Sequence, residues 1–285
     1  MTTPIGNEEV ILQKMDSLKS NLRGLGSLIV AYSGGVDSAF LATTANQVLG
    51  NNALAVTAES PSLAPTELRE AMELAQNMGL KHKIIQTKEV ERDDYKANTP
   101  SRCFFCKDEL YTHLTGFASQ EGYKWIANGT NMDDLGDFRP GLTAAKQYGI
   151  LSPLVDAGLT KTEIRDLAKS IGLSAWDKPA QACLSSRIPY GTPVSVDALS
   201  RIAKAEEFLH DLGFNQVRVR HHDIIARIEV EPMDFITLLE GDVRSRINEH
   251  FRSIGYSYVT LDLEGFRSGS LNEVLIALQE KKKSR

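Results

Sequence analysis

The sequence predicts an α/β fold: a parallel sheet with helices on both faces, followed by a smaller α+β domain. Three observations carry that expectation. Over residues 1–180, short apolar runs of strand length alternate with helix-length stretches, the order that right-handed βαβ crossovers require. A glycine-rich turn, "SGGVDS" (33–38), joins the first such run to the next helix. From residue 181 the order becomes helix, two alternating strands, helix, strand, helix, which no longer fits a doubly covered parallel sheet. At 285 residues the chain is long for one domain, so two domains are expected, 1–180 and 181–285.

The opening helix is expected over 8–22, with Val10, Ile11, Met15, Leu18 and Leu22 on one face. Strands follow at 27–32 and 53–60, the second ended by Pro61, with a helix between them closed by Gly50. A helix over 65–78 stops at Gly79, and "KHKIIQT" (81–87) makes a third strand. After a polar loop, 103–118 reads as a helix that begins on a CxxC, Cys103 and Cys106. "YKWIANGT" (123–130) is a fourth strand and "ILSPL" (150–154) a fifth. Thr160 should cap the following helix, with Glu163 completing a capping box. Sheets of this kind bind ligands beyond the carboxyl ends of their strands, so 33–38, 58–60 and 129–134 should share one rim. A proline-punctuated connector then leads to a helix over 196–212 and strands at 216–222 and 224–230. A helix near 242–254, a strand at 256–263, a C-terminal helix and a solvated tail, "EKKKSR", complete the chain.

Composition narrows the classes of function. Hydrophobic residues at 42% and charged residues at 24% are ordinary for a globular protein with a sizeable core. A net charge of −5 argues against a broad nucleic-acid-binding face. The N-terminal "MTTPIGNEEV" lacks the basic and apolar regions of a signal peptide, and no apolar run approaches the roughly 18 residues of a membrane span. Three cysteines, an odd number, do not make a secreted disulfide framework. The expectation is a cytoplasmic protein without a membrane partner, in which CxxC means metal or redox chemistry more often than crosslinking.

Gly34 and Gly35 permit tight turning and close backbone approach, so the turn's N–H groups point into an anion-sized hollow. Ser33 and Ser38 add hydroxyls, the helix N-terminus adds positive partial charge, and Asp37 is a candidate magnesium ligand. The pattern is neither GxxxxGK[ST] nor GxGxxG. "AYSGGVDS" resembles the PP-loop of ATP pyrophosphatases, enzymes that break ATP between its α and β phosphates and place AMP on a carboxylate or carbonyl oxygen. The resemblance implies that the loop grips the departing pyrophosphate. Ala58 and Ser60, ending the second strand, are then placed to frame adenosine. Gly129 and Asp133 belong to the same rim, Asp133 either supporting magnesium or forming a solvated acidic turn.

"NGTNMDDLGDFRPG" (128–141), "KPAQACLSSRIPYG" (178–191), "RVRHHDIIARIE" (218–229) and "YVTLDLEGFRSGS" (258–270) together look like the LarE family of sulfur transferases. In that family ATP adenylates a carboxylate of pyridinium-3,5-biscarboxylic acid mononucleotide. Sulfur then displaces AMP to leave a thiocarboxylate, and the cycle repeats on the second carboxylate. The resemblance implies an enzyme using ATP and magnesium on a small nucleotide substrate. It also implies partner enzymes of nickel-pincer cofactor biosynthesis and a homo-oligomer.

Cys183, in "QACLSSRIPYG", matches the single cysteine that gives up its own sulfur in one form of the family and is left as dehydroalanine. Cys103 and Cys106 depart from that form and resemble a second branch. That branch holds a [4Fe–4S] cluster on three cysteines, the expected set here being Cys103, Cys106 and Cys183, recharged by a sulfur donor. The residue chemistry is compatible: CxxC at a helix N-terminus favours thiolate, and three thiolates leave one iron open. Zinc with a fourth ligand such as His113, a disulfide relay, a persulfide and plain helix packing remain open on spacing alone.

An anionic substrate suits guanidinium forks. Arg218 and Arg220 alternate on one strand and share a face, and Arg187 lies in the connector. By motif match, Arg218, Arg220 and Arg267 are candidates for the substrate's phosphate or carboxylates, and Glu229 for a metal or active-site carboxylate. His221 and His222 read as residues of an "HHD" turn. The competing functions are a PP-loop amide-forming ligase, a tRNA thiolase and a nucleotide-binding sensor. The first two need an ammonia source and a basic docking face respectively.

Overall fold

The computed structural model describes residues 7–136, 140–179 and 181–267, together with Gly269 and Leu271. In chain order the first elements are α1 (Asn7–Leu25), β1 (Leu28–Ala31), α2 (Val36–Leu49), β2 (Ala53–Glu59), α3 (Pro65–Asn77) and β3 (His82–Gln86). Next come α4 (Asp93–Lys96), α5 (Arg102–Glu121), β4 (Trp125–Ala127), α6 (Pro140–Gln147), α7 (Pro153–Asp156) and α8 (Lys161–Ser170). The last are α9 (Val196–Asp211), β5 (Val217–His222), β6 (Ile225–Val230), α10 (Phe235–Leu239), α11 (Gly241–Ser253) and β7 (Tyr258–Leu261). The expected C-terminal helix and tail lie outside the described residues. The chain divides into two compact units. One comprises Met1–Ser60, Pro65–Glu89 and Ser101–Gln181; the other comprises Pro61–Ala64, Val90–Pro100 and Ala182–Arg285.

In the first unit four parallel strands lie in the order β3-β2-β1-β4. Successive strand residues go to opposite faces, and both faces are covered. Leu28, Val30, Ala53 and Ala55 pack with Leu18 of α1, Phe40 of α2, Leu74 of α3 and Ile164 of α8. Ile29, Leu54 and Val56 pack with Tyr111 and Leu114 of α5 and Ala144 of α6. Each of these leucine, isoleucine and valine side chains contributes about 1.5–3 kcal/mol by leaving water. The expected helices on both faces are therefore present. The expected fifth strand is not: its trace is one isolated parallel bridge, Ala127 to Leu151. Pro153, at the first position of α7, has no N–H for a ladder and a φ already set for a helix, so the chain turns helical there.

In the second unit β5 pairs antiparallel with β6, and β6 pairs parallel with β7. Val217, Val219, Ala226 and Ile228 face α9 and α11, packing on Ala205, Leu209, Ile247 and Phe251. The turn between β5 and β6 falls at Asp223, whose φ of 57° is left-handed. His221 is correspondingly a strand residue and not part of a solvated turn: it is buried, with Nδ1 3.1 Å from the Tyr256 hydroxyl. Among the described residues no helix is long and apolar enough to cross a membrane.

Candidate active site

The turn between β1 and α2 folds around its own hydroxyls. Ser33 N–H donates to Ser38 Oγ at 3.1 Å, the two hydroxyls are 3.1 Å apart, and Ser38 Oγ donates to the Gly35 carbonyl at 3.1 Å. Gly34 has φ of 75°, and a Cβ there would stand 2.8 Å from Ala71 Cβ of α3. Gly129, just past β4, presses against the same turn: its Cβ would meet Ser38 N at 2.7 Å. Two glycines, from the first and fourth strands, thus let the backbone close around the α2 N-terminus, where unpaired N–H groups favour an anion.

Asp37, in the first turn of α2, is held by two partners. Asn131 Nδ2 donates to Oδ1 at 3.2 Å and Lys161 Nζ to Oδ2 at 2.5 Å. Lys161 owes its place to the helix start beside it. The Thr160 hydroxyl accepts Glu163 N–H and the Glu163 carboxylate accepts Thr160 N–H, so the expected capping box is formed and Lys161 becomes the first residue of α8. Asp133 Oδ2 accepts the otherwise orphaned N–H of Lys161 at 2.6 Å, while Asp133 N–H donates to Asn131 Oδ1 at 2.9 Å. Asp133 therefore caps α8, and Asn131 and Lys161, neither singled out by the sequence, are the side chains that reach Asp37. Thr160 as N-cap is the sequence signal that could have pointed to Lys161, the first residue of α8.

Ala58, next to last in β2, and Ser60, just after it, lie at the carboxyl end of that strand. Ser60 Oγ donates to Glu89 Oε1 at 2.5 Å, and Gln86 Nε2 to Glu59 Oε2 at 2.5 Å. Beneath them Thr57 Oγ1 donates to the Tyr32 carbonyl at 2.9 Å and lies 2.8 Å from His82 Nε2. The hydroxyl's single proton is spent on the carbonyl, so His82 donates from Nε2. Burial lowers the His82 imidazole and raises the Tyr32 phenol from their usual ranges.

Cys103 and Cys106 lie one turn apart at the start of α5, Cys103 exposed and Cys106 half-buried. Cys183 is half-buried and belongs to the second unit; no disulfide joins any two of the three. Within each unit, among the described residues, no three His, Cys, Asp or Glu side chains gather as a metal site. Thiols such as the Cys103 and Cys106 pair, at helical spacing in the first turns of α5, are the donor type that iron–sulfur clusters take.

The face of β5 and β6 turned away from α9 carries charge. Arg218 and Arg220 are both 7% exposed and Glu229 is fully buried. Glu229 accepts Arg220 Nε and Nη2, both at 2.8 Å, and Arg227 Nη2 at 3.1 Å. Its carboxylate is thus the anchor of two guanidinium groups. Arg218 lies over the Phe266 ring at 5.1 Å, and Nη1 donates to the Val217 carbonyl at 2.6 Å. Arg267 is more open, with Nη2 2.8 Å from Glu264. Arg187 is paired with Glu206 through two bonds of 2.9 Å, both residues buried.

A parallel sheet with a glycine-bounded anion turn at its carboxyl rim defines a nucleotide-using enzyme, and residues 10–105 match the NAD synthase family. The chain is 38% identical to the pyridinium-3,5-bisthiocarboxylic acid mononucleotide synthase of Lactiplantibacillus plantarum, over 93% of its own length and 96% of that protein's. It is 46% identical to an uncharacterised protein of Synechocystis sp., over 92% of its own length and 98% of the other. The tRNA-specific 2-thiouridylase MnmA of Rickettsia rickettsii is 28% identical, over 54% of this chain and 52% of the enzyme. The chain belongs to the LarE family of ATP-using sulfur transferases.

Proposed function

We propose that this protein makes a thiocarboxylated pyridinium mononucleotide in two chemical steps per carboxylate. A carboxylate oxygen of pyridinium-3,5-biscarboxylic acid mononucleotide attacks the α-phosphorus of ATP, forming the acyl-adenylate and releasing pyrophosphate. Sulfur then displaces AMP, forming the C–S bond of the thiocarboxylate as the acyl C–O bond breaks. The observation that carries this reading is the Ser33–Ser38 turn at the α2 N-terminus, closed by Gly34 and Gly129, in a chain 38% identical to the synthase over 93% of its length.

The turn's N–H groups and hydroxyls bind the β and γ phosphates and so favour departure of pyrophosphate. Asp37 would hold magnesium, which neutralises phosphate charge when bound. Ala58 and Ser60 line the adenosine side. Arg218 and Arg267 are assigned to the anionic substrate, since a guanidinium fork matches phosphate or carboxylate. Cys103, Cys106 and Cys183 would hold a [4Fe–4S] cluster, which supplies transferable sulfur when charged by a donor. Partner enzymes of nickel-pincer synthesis and assembly of several copies belong to the same proposal.

Anaerobic purification with iron, sulfide and zinc analysis tests the cysteine assignment, followed by mass spectrometry of the protein after turnover with ATP and substrate. Bound iron with an intact Cys183, and loss of iron in Cys103→Ala or Cys106→Ala, support it. Conversion of Cys183 to dehydroalanine without bound iron overturns it in favour of a sacrificial cysteine.

A further inference from the structure

Cys183 is the N-cap of a short 3₁₀ turn, Leu184–Arg187, and its carbonyl accepts Ser186 N–H at 2.9 Å. Groups of the same unit hold this turn on several sides. Leu184 N–H donates to the Ser62 carbonyl at 2.9 Å, and the hydroxyls of Tyr95 and Ser185 are 2.6 Å apart. Arg187 Nη1 donates to the carbonyls of Ala182 at 2.5 Å and Cys183 at 3.1 Å, and to Ser186 Oγ at 3.0 Å. Arg220 Nη1 donates to the Ser186 carbonyl at 2.8 Å. Each guanidinium is itself fixed by a carboxylate, Arg187 by Glu206 and Arg220 by Glu229, with two bonds apiece. Glu206 also accepts Val219 N–H at 2.8 Å, which ties the assembly to β5.

All four charged residues are 7% exposed or less. Buried ion pairs add little net stability over apolar packing, so stability alone does not account for two of them around one four-residue turn. Their geometry does account for it: a planar fork fixed at one end by a carboxylate holds backbone carbonyls at the other without needing to be ordered later. We propose that Arg187 with Glu206, and Arg220 with Glu229, are positioning pairs that fix the Cys183 turn and so set where its thiol stands during sulfur transfer. The proposal rests on the assignment of Cys183 to sulfur transfer. It also gives Arg220 a second task beside any contact with substrate.

The test is the rate at which iodoacetamide labels each cysteine, read by mass spectrometry on the full-length protein freed of iron by a chelator and on Arg187→Ala, Arg187→Lys and Glu206→Gln treated in the same way. The expected result is that Cys183 labels severalfold faster in Arg187→Ala and less so in Arg187→Lys, whose ammonium still meets a carbonyl. Cys103 and Cys106 keep their wild-type rates. Guanidinium ion at a non-denaturing concentration, refilling the vacated space, slows Cys183 again. Thiocarboxylate formed per protein falls as Cys183 labelling rises. Unchanged Cys183 labelling in a folded variant overturns the proposal, as does a rise shared equally by Cys103 and Cys106. Should Arg187→Ala fail to fold, the same comparison in Arg187→Lys and Glu206→Gln decides it. Wild-type protein that forms no thiocarboxylate overturns the functional assignment instead, and labelling still decides the positioning role.

Discussion

Lys161 Nζ stands 2.5 Å from Asp37 Oδ2, so a lysine ammonium already holds the carboxylate to which magnesium is assigned in the proposed function. The two residues are 124 positions apart, and both are only partly exposed, 33% for Lys161 and 22% for Asp37. Under that assignment the cation competes with this ammonium for Asp37 Oδ2, and a displaced ammonium becomes available to a phosphate. Lys161→Met is therefore expected to bind Mn²⁺ more tightly in the absence of ATP, while losing affinity for ATP. Titration calorimetry with and without nucleotide reads both changes. Asp37→Asn is expected to lower pyrophosphate release by about 10²–10³-fold, the scale of one lost electrostatic contact in an active site.

Gly34 and Gly129 bound the anion turn for different reasons, and the difference is measurable. Alanine at Gly34 meets both a left-handed φ of 75° and Ala71 Cβ at 2.8 Å, so Gly34→Ala should cost about 1–3 kcal/mol in urea unfolding. Alanine at Gly129 has no φ strain but drives a methyl to 2.7 Å from Ser38 N, so ATP affinity should fall more than stability does. Gly50→Ala, with φ of 55° and open space, is the control: its cost is backbone strain only.

Glu229 is fully buried against Arg220, and removing the arginine leaves that carboxylate with only the single, longer bond from the more exposed Arg227. Arg220→Met should destabilise the protein by about 3–5 kcal/mol, whereas Arg220→Met with Glu229→Met should cost less than the sum of the single changes. A double-mutant cycle by chemical denaturation checks this. Additive losses would mean that the two side chains do not act as a pair.

Burial holds the imidazoles of His82 and His221 below their usual value of 6.5, with the positive charge of Arg201 adding to the effect at His221. The unfolded chain therefore takes up these protons first as pH falls. Stability contributed by the neutral rings is complete above 6.5 and is lost as pH drops through the lower folded values. The thermal midpoint should decline on acidification through that window. His82→Gln, whose amide can still donate to Thr57, should show a shallower decline, and an unchanged slope would exclude His82 as a contributor.

Local pattern was enough for much of the first unit. β1, the glycine turn, α2, β2 and the Thr160 capping box were readable because each depends on neighbours a few residues away. The fifth strand misled for the same reason: "ILSPL" has strand composition, but Pro153 starts a helix and only Leu151 finds a partner. The short helices α6 and α10 carried no clear periodicity to read.

The sequence by itself determined the parallel sheet, the tight turn after β1 with its glycines, and the three cysteines that frame the sulfur question. Tertiary structure alone decided which charges meet. Lys161 reaches Asp37 across 124 residues, Arg187 finds Glu206 on the next helix, and Glu229 locks Arg220 across a strand pair. Periodicity states which face a side chain takes, but not which distant partner waits there, because that choice is made only when burial forces each charge to be matched.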